Sequence, residues 1–273
     1  MDFLKGHGTE NDFVVVPDLD DTLVLTPSLV AALCDRRAGI GGDGVLRVVP
    51  AAEDAEWFMD YRNADGSLSE MCGNGIRVYA RYLLEAGLAK PDAAVRIATR
   101  GGVREVRFDD DGDITVDMGP AELPAELRRL RVSVAPGRTW DAVGVLVPNP
   151  HAVAFVADLG DAGALLEAPA VTPDGSFPEG VNIEFVVDRG PRHVALRVHE
   201  RGSGETRSCG TGACAVAVAA MRRDGVRAAT YVVDVPGGRL RVTERPDGHV
   251  ELTGPAVLVA AGTLAESWLR GLG

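Results

Sequence analysis

Cysteine is scarce in this chain: four residues in 273 are too few for a disulfide scaffold. Aromatic residues are scarcer than usual as well, at 5%, so any core must be built from Val, Leu, Ala and Ile. No run approaches the roughly 18 consecutive apolar residues that a membrane-spanning helix needs. The stretch MDFLKGHGTENDF has no basic segment leading into an apolar run, so no secretory signal is expected. Positive charge is in deficit, with 28 Lys and Arg against 40 Asp and Glu and a formal charge of −12. That balance argues against nucleic acid or an anionic membrane as the main partner. A cytoplasmic protein with reduced thiols is the expectation.

What the sequence does contain is itself, twice. GGVREVRFDDDGDITVDMGP (101–120) matches GGRLRVTERPDGHVELTGP (237–255), with Gly101-Gly102 and Asp111-Gly112 offset by 136 from Gly237-Gly238 and Asp247-Gly248. Each copy reads as a hairpin around an Asp-Gly turn. Cys72 and Cys209 stand 137 apart, in SEMCGNGIR and RSCGTGACA, and so belong to the same repeat. Ile76, Tyr79, Ala80, Leu83 and Leu84 fall on one helical face, with Gly87 where a C-cap glycine belongs. A second helix is predicted over about 210–224, rich in Ala and Val all round and hence buried on every face. GTENDFVVV (8–16) also echoes GVNIEFVVD (180–188), but Asn11 and Asn182 are offset by 171. On that matching the first half carries some 34 extra residues, holding a helix over about 27–38 and a strand GVLRVV. The chain therefore reads as two halves, 1–119 with Cys72 and 120–261 with Cys209. A C-terminal helix within 262–273 follows, packing on the first half. Duplicated halves commonly enclose a cleft, the natural place for an active site.

GIGGDG (39–44) is a literal dinucleotide fingerprint in the wrong context, because a helix precedes it and a strand follows. It reads as a loop. Cys209 and Cys214 lack the tight or doubled spacing of a metal site, and no metal is expected. Cys34 and Cys214 read as small apolar core residues. Cys72 and Cys209 are different, since each stands at a helix N-terminus where unpaired N–H groups and the helix dipole favour a thiolate. Gly73, Gly75, Gly210 and Gly212 leave those amides open to an anion. Two equivalent thiols suit proton removal and return on opposite faces of one carbon, with helix ends stabilising the developing charge. A thiol redox sensor is the competing reading from another class.

MCGNGIR and SCGTGA, taken with GTENDF, YRNADGS, NPH, GVNIEFV and HERGSGETRSCGTG, resemble the diaminopimelate epimerase family along nearly the whole chain. The resemblance implies a mixed α/β fold of two pseudo-symmetric halves, each a mixed sheet curled around a central helix. It implies cofactor-independent interconversion of LL- and meso-2,6-diaminopimelate, and commonly a homodimer. Cys72 and Cys209 would be the acid–base thiols. Gly73, Asn74, Gly210 and Thr211 would offer backbone amides to the α-carboxylate. Asn11, Asn63, Asn149, Asn182, Glu200 and Arg201 would bind the amino and carboxylate groups, and His151 would support the site. Asn63 and Glu200 each lie nine residues before their cysteine, in keeping with the repeat. Glu10 stands where many members have glycine, Gly44 where many have a substrate-binding glutamine, and VPNPH where MGNPH is frequent. A racemase of proline or hydroxyproline type on the same fold is the nearest rival. The polar side chains available for a second amino-acid head group favour the larger substrate.

Overall fold

The computed structural model describes residues 1–51, 54–135 and 137–271. The chain divides into two compact units, Met1–Val116 with Gly254–Gly273, and Asp117–Thr253. Among the described residues no helix is long and apolar enough to cross a membrane.

In chain order the first unit holds β1 (Asp2–Gly8), β2 (Asn11–Pro17), α1 (Pro27–Cys34), β3 (Gly44–Pro50), β4 (Trp57–Asn63), α2 (Gly73–Glu85), β5 (Val95–Thr99), β6 (Gly102–Phe108) and the start of β7 (Ile114–Pro120). The second holds β8 (Leu130–Ala135), β9 (Arg138–Val147), β10 (Asn149–Phe155), β11 (Ala170–Thr172), β12 (Asn182–Gly190), β13 (His193–Glu200), β14 (Gly204–Thr206), α3 (Gly210–Arg223), β15 (Thr230–Val235), β16 (Gly238–Glu244) and β17 (His249–Gly254). Then β18 (Val257–Thr263) and α4 (Glu266–Arg270) return to the first unit. There β18 pairs antiparallel with β1, and Leu264, Trp268 and Leu269 pack with Val14, Val16, Val30, Leu33 and Val45. The boundary of the first unit thus takes in 254–261, a stretch that the sequence repeat assigns to the second half.

Strand pairing is mixed in both units. The first runs β18-β1-β2-β3-β4-β5-β6, parallel only at β2–β3 and β4–β5. The second runs β8-β9-β10-β12-β13-β15-β16-β17, parallel only at β10–β12 and β13–β15. Strands covered on both faces are apolar throughout, as Phe13, Val14, Val15 and Val16 are, all fully buried. α2 lies against β1–β4 and β18, and α3 against β9, β10, β12, β13, β15 and β16. α3 is buried from Gly210 to Met221, as its Ala- and Val-rich composition predicts.

Strand pairing corrects one part of the repeat. Phe13 pairs with Gly44 where β2 meets β3, and His151 pairs with Asn182 where β10 meets β12, in identical register. The strand equivalent to β2 is therefore β10, and the one equivalent to β3 is β12. Asn11 matches Asn149, Gly44 matches Asn182, and the offset is 138 for both. The echo of GTENDFVVV in GVNIEFVVD is a likeness between strands of different position, and no 34-residue surplus separates the halves.

The helix predicted over 27–38 ends at Cys34. Asp35 Oδ1 accepts from the N–H groups of Arg37 and Ala38 at 2.7 Å each, a local turn that competes with further helix. The N–H groups of Ile40 and Gly41 then both donate to Leu33 O, folding GIGGDG back over the helix end as a loop before β3.

Candidate active site

Each unit places a cysteine as N-cap of its central helix. Cys72 is extended, with φ −137° and ψ 119°, and its Sγ accepts from the Gly75 N–H at 3.4 Å. Cys209 has φ −121° and ψ 114°, and its Sγ accepts from the Gly212 N–H at 3.3 Å. Sulfur here does what a Ser or Asp oxygen does in an ordinary cap. It occupies the position where the unsatisfied amides and positive helix end favour a negative charge. Glycine at the third helical position stands close to its neighbours in both units, more tightly in the second. A Cβ on Gly75 would stand 3.2 Å from Leu46 Cδ2 and 3.4 Å from Phe13 Cζ, and one on Gly212 would stand 2.8 Å from Glu184 Oε1.

Around Cys72 a chain of oriented side chains runs through the first unit. Arg77, fully buried in α2, donates to Gly73 O at 3.2 Å and to Asn74 Oδ1 at 3.0 Å. Asn74 Nδ2 donates to Asn11 Oδ1 at 3.2 Å, and Asn11 Nδ2 donates to Asp43 Oδ2 at 2.7 Å. Cys72 Sγ lies 3.6 Å from the same Asn11 Oδ1. Arg36 joins Asp43 to Asp12, which also takes Lys5. Asn63 is occupied in its own turn, donating to Ser67 Oγ at 2.9 Å.

The second unit has a different chemistry. Cys209 Sγ is 3.5 Å from Thr211 Oγ1. Glu200 accepts from Thr206 Oγ1 and from the Cys209 thiol. Burial first, then the charges of Glu200 and Glu184, push the Cys209 thiol well above the ordinary thiol range, against the hydrogen bonds of Thr211 and the Gly212 N–H. Burial likewise raises Glu200, against the hydrogen bonds of Thr206 and Cys209 and the charge of His151. His151 Nδ1 and Glu184 Oε1 are 2.6 Å apart, both side chains with no exposed surface, and His151 Nε2 is 3.1 Å from Asn149 Oδ1. Asn182 Oδ1 accepts from the Arg201 N–H at 2.9 Å, while its Nδ2 donates to Pro150 O. Arg201 Nη1 donates to Glu179 O at 3.0 Å.

Within the first unit, Asn11, Cys72, Gly73 and Asn74 therefore meet, and Asn63 donates to Ser67 Oγ. Within the second, Glu200, Cys209, Gly210 and Thr211 meet, as do Asn149 with His151 and Asn182 with Arg201. Three residues had no part in the sequence reading: Arg77, Asp43 and Glu184. Aligning NPHAVAF with NDFVVVP at the offset of 138 exposes the third, because Glu184 then falls opposite the apolar Leu46 and His151 opposite Phe13. A cavity of about 660 Å³ in the second unit opens at the far end of α3, lined by Phe155, Ala219, Arg222 and Arg223 among others, away from the thiol.

The sequence profile of the family described as diaminopimelate epimerase matches residues 3–124 and 144–259. A diaminopimelate epimerase of Streptomyces coelicolor is 62% identical over 286 residues, spanning 99% of this chain and 97% of its own. One of Rhodococcus jostii is 46% identical over 296 residues, covering the whole of both. Among solved structures, a Bacillus anthracis phenazine biosynthesis protein of the PhzF family superposes with a TM-score of 0.71 at 16% identity, covering 97% of this chain and 99% of its own. A hydroxyproline epimerase from Agrobacterium vitis gives 0.65 at 15% identity, over 96% and 91%. At such identities the likeness is one of fold, a mixed α/β architecture of two pseudo-symmetric halves.

Proposed function

The chain belongs to the diaminopimelate epimerase family, and on that premise we propose that it interconverts LL- and meso-2,6-diaminopimelate by α-proton transfer between two thiols. The observation that carries the reading is the pair of cysteine caps, Cys72 and Cys209, each with Sγ on the third N–H of a buried central helix. One cysteine, as thiolate, takes the α-proton; the other, as thiol, delivers a proton to the opposite face. The configuration inverts, and the two cysteines exchange protonation states. No electrons are transferred, so the step asks for no cofactor. Amides at the helix starts, Gly73, Asn74, Gly210 and Thr211, serve the α-carboxylate and the carbanion-like charge it shares. Asn11, Asn63, Asn149, Asn182, Glu200 and Arg201 bind the remaining head groups. Arg201 offers a planar fork suited to a carboxylate.

Burial and the carboxylates around Cys209 favour its protonated form, which makes it the proton donor of the resting enzyme. A homodimer in the cytoplasm is part of the same reading.

The test is incubation of reduced protein with LL-diaminopimelate in deuterium oxide. Deuterium at the α-carbon and meso product are expected, unaffected by EDTA or added pyridoxal phosphate. Absence of both, with exchange into proline or hydroxyproline instead, would assign the rival substrate. Cys72→Ser and Cys209→Ser should each lower turnover by at least about 100-fold, the scale of losing a positioned acid or base.

A further inference from the structure

We propose that Glu184 is a positioning residue: as a buried carboxylate it keeps both ring nitrogens of His151 protonated, and through His151 it fixes the Asn149 amide with its NH2 outward, as a hydrogen-bond donor to a substrate carboxylate. This rests on the reaction proposed above and adds to it a residue and a direction of binding.

The argument is one of donors and acceptors. Glu184 Oε1 lies 2.6 Å from His151 Nδ1, and His151 Nε2 lies 3.1 Å from Asn149 Oδ1. An ionised carboxylate only accepts, and so does an amide oxygen. The proposed arrangement therefore has both ring nitrogens donating. The carboxylate sits at the start of α3, where a Cβ on Gly212 would come within 2.8 Å of Oε1 and where the helix dipole favours an anion. Glu184 Oε2 is buried and accepts no hydrogen bond among the described residues, so the carboxylate's interaction is concentrated on the one short bond to His151. With Oδ1 of Asn149 committed to the ring, its Nδ2 turns away as a pair of donors.

The fold does not require this pair. The equivalent positions in the first unit are Phe13 and Leu46, fully buried and packed against Gly75, as Glu184 is against Gly212. An apolar pair fills that place at no desolvation cost, whereas a buried ion pair is commonly neutral or unfavourable for stability. A role in binding accounts for its presence. The charged and titratable groups that face it are Cys209 from α3, Glu200 from β13 and His151 itself from β10.

Spectra of full-length, reduced protein labelled with 15N in histidine decide the charge state without turnover, His151 being assigned by its loss in His151→Gln. Two protonated ring nitrogens are expected near pH 7.5, and one bare nitrogen in Glu184→Gln. A bare nitrogen in the wild type overturns the proposal. In turnover, Glu184→Gln should raise KM for diaminopimelate about tenfold or more, the scale of one charge-assisted hydrogen bond, with kcat within about threefold. It should add nothing to Asn149→Ala. A fall in kcat at unchanged KM, or additive effects, would overturn the route through Asn149. The double variant His151→Phe/Glu184→Leu, which restores the pair of the first unit, should unfold at a midpoint no lower than wild type yet keep the raised KM; normal KM would again refute it. If the wild type exchanges no α-proton at all, the proposed reaction fails, and the spectra still decide what Glu184 does to His151.

Discussion

Gly75 and Gly212 hold the same position in the two central helices, yet the structure predicts opposite outcomes for alanine there. In either helix, alanine gains about 1 kcal/mol over glycine from lower backbone entropy. At Gly75 the added Cβ meets Leu46 Cδ2 at 3.2 Å, Cys72 Cβ at 3.3 Å and Phe13 Cζ at 3.4 Å. A few tenths of an ångström of give in the leucine end relieves the worst of these. At Gly212 the Cβ meets Glu184 Oε1 at 2.8 Å, and that oxygen is held by His151 at 2.6 Å with no exposed surface on either side chain. Moving it weakens a charge-assisted hydrogen bond of about 1.5–3 kcal/mol. Gly75→Ala should therefore lie within about 1 kcal/mol of wild type, on the stabilised side. Gly212→Ala should lose about 0.5–2 kcal/mol net, the hydrogen bond outweighing the helix gain. Urea unfolding of the two variants measures the difference. Equal stability, or a Gly212→Ala protein more stable than wild type, would refute the placement of the carboxylate against the helix start.

Glu10 has φ +63° in the two-residue turn between β1 and β2, so Glu10→Gly should stabilise by about 0.5–1 kcal/mol once strain relief is set against unfolded-chain entropy, read as a raised urea midpoint. A Cβ on Gly44 would stand 2.5 Å from Arg62 O and 2.7 Å from Tyr61 Cε2; Gly44→Ala should cost about 1–3 kcal/mol, and an unchanged midpoint would contradict that crowding. Burial works against ionised Asp60, but the hydrogen bonds and charges of Arg62 and Arg100 outweigh it and hold the carboxyl below its ordinary range. Its stabilising contribution is thus present above pH ~4 and lost as pH falls below that, and Asp60→Asn should flatten that limb of the stability–pH curve while costing about 3–5 kcal/mol at neutral pH. Iodoacetamide near pH 8 should label the half-buried Cys72 before Cys209, which is 5% exposed and has a raised thiol pKa; equal rates of labelling would argue against the assigned asymmetry.

Much of this was legible in the sequence because the governing interactions are local. Periodic apolar residues and glycine at position 87 mark α2, which runs Gly73–Glu85 with Gly87 at φ +70°. The Asp-Gly turns lie between β6 and β7 and between β16 and β17, with Gly112 and Gly248 at φ +86° and +90°. The repeat positions of the two cysteines follow from motif spacing alone. What escaped depends on strand pairing. NDFVVV and NIEFVV share letters, whereas NPHAVAF carries a proline and a histidine, so likeness of composition pointed to the wrong partner and hid His151 and Glu184 as replacements for Phe13 and Leu46. Arg77 escaped for a related reason. A charged residue beside Ile76 reads as the outer face of an amphipathic helix, but sheet strands wrap α2 closely enough to bury that face too.

The corrected equivalence changes what the duplication means for chemistry. Asn11 and Asn149 open matching strands, yet they are held by opposite ends. Asp43 takes the NH2 of Asn11 and leaves Oδ1 toward Cys72 and Asn74. His151 takes the oxygen of Asn149 and leaves the NH2. The surroundings differ in sign as well: a buried Arg77 stands four residues into α2, where α3 has Cys214, and a buried Glu184 faces the start of α3, where α2 has Leu46. An amino-acid head group carries both an ammonium, which only donates, and a carboxylate, which only accepts. The amide is turned one way by a carboxylate in the first unit and the other way by a histidine in the second. The backbone of the repeat supplies two equivalent cysteine caps, and the charges substituted around them make the two units chemically distinct.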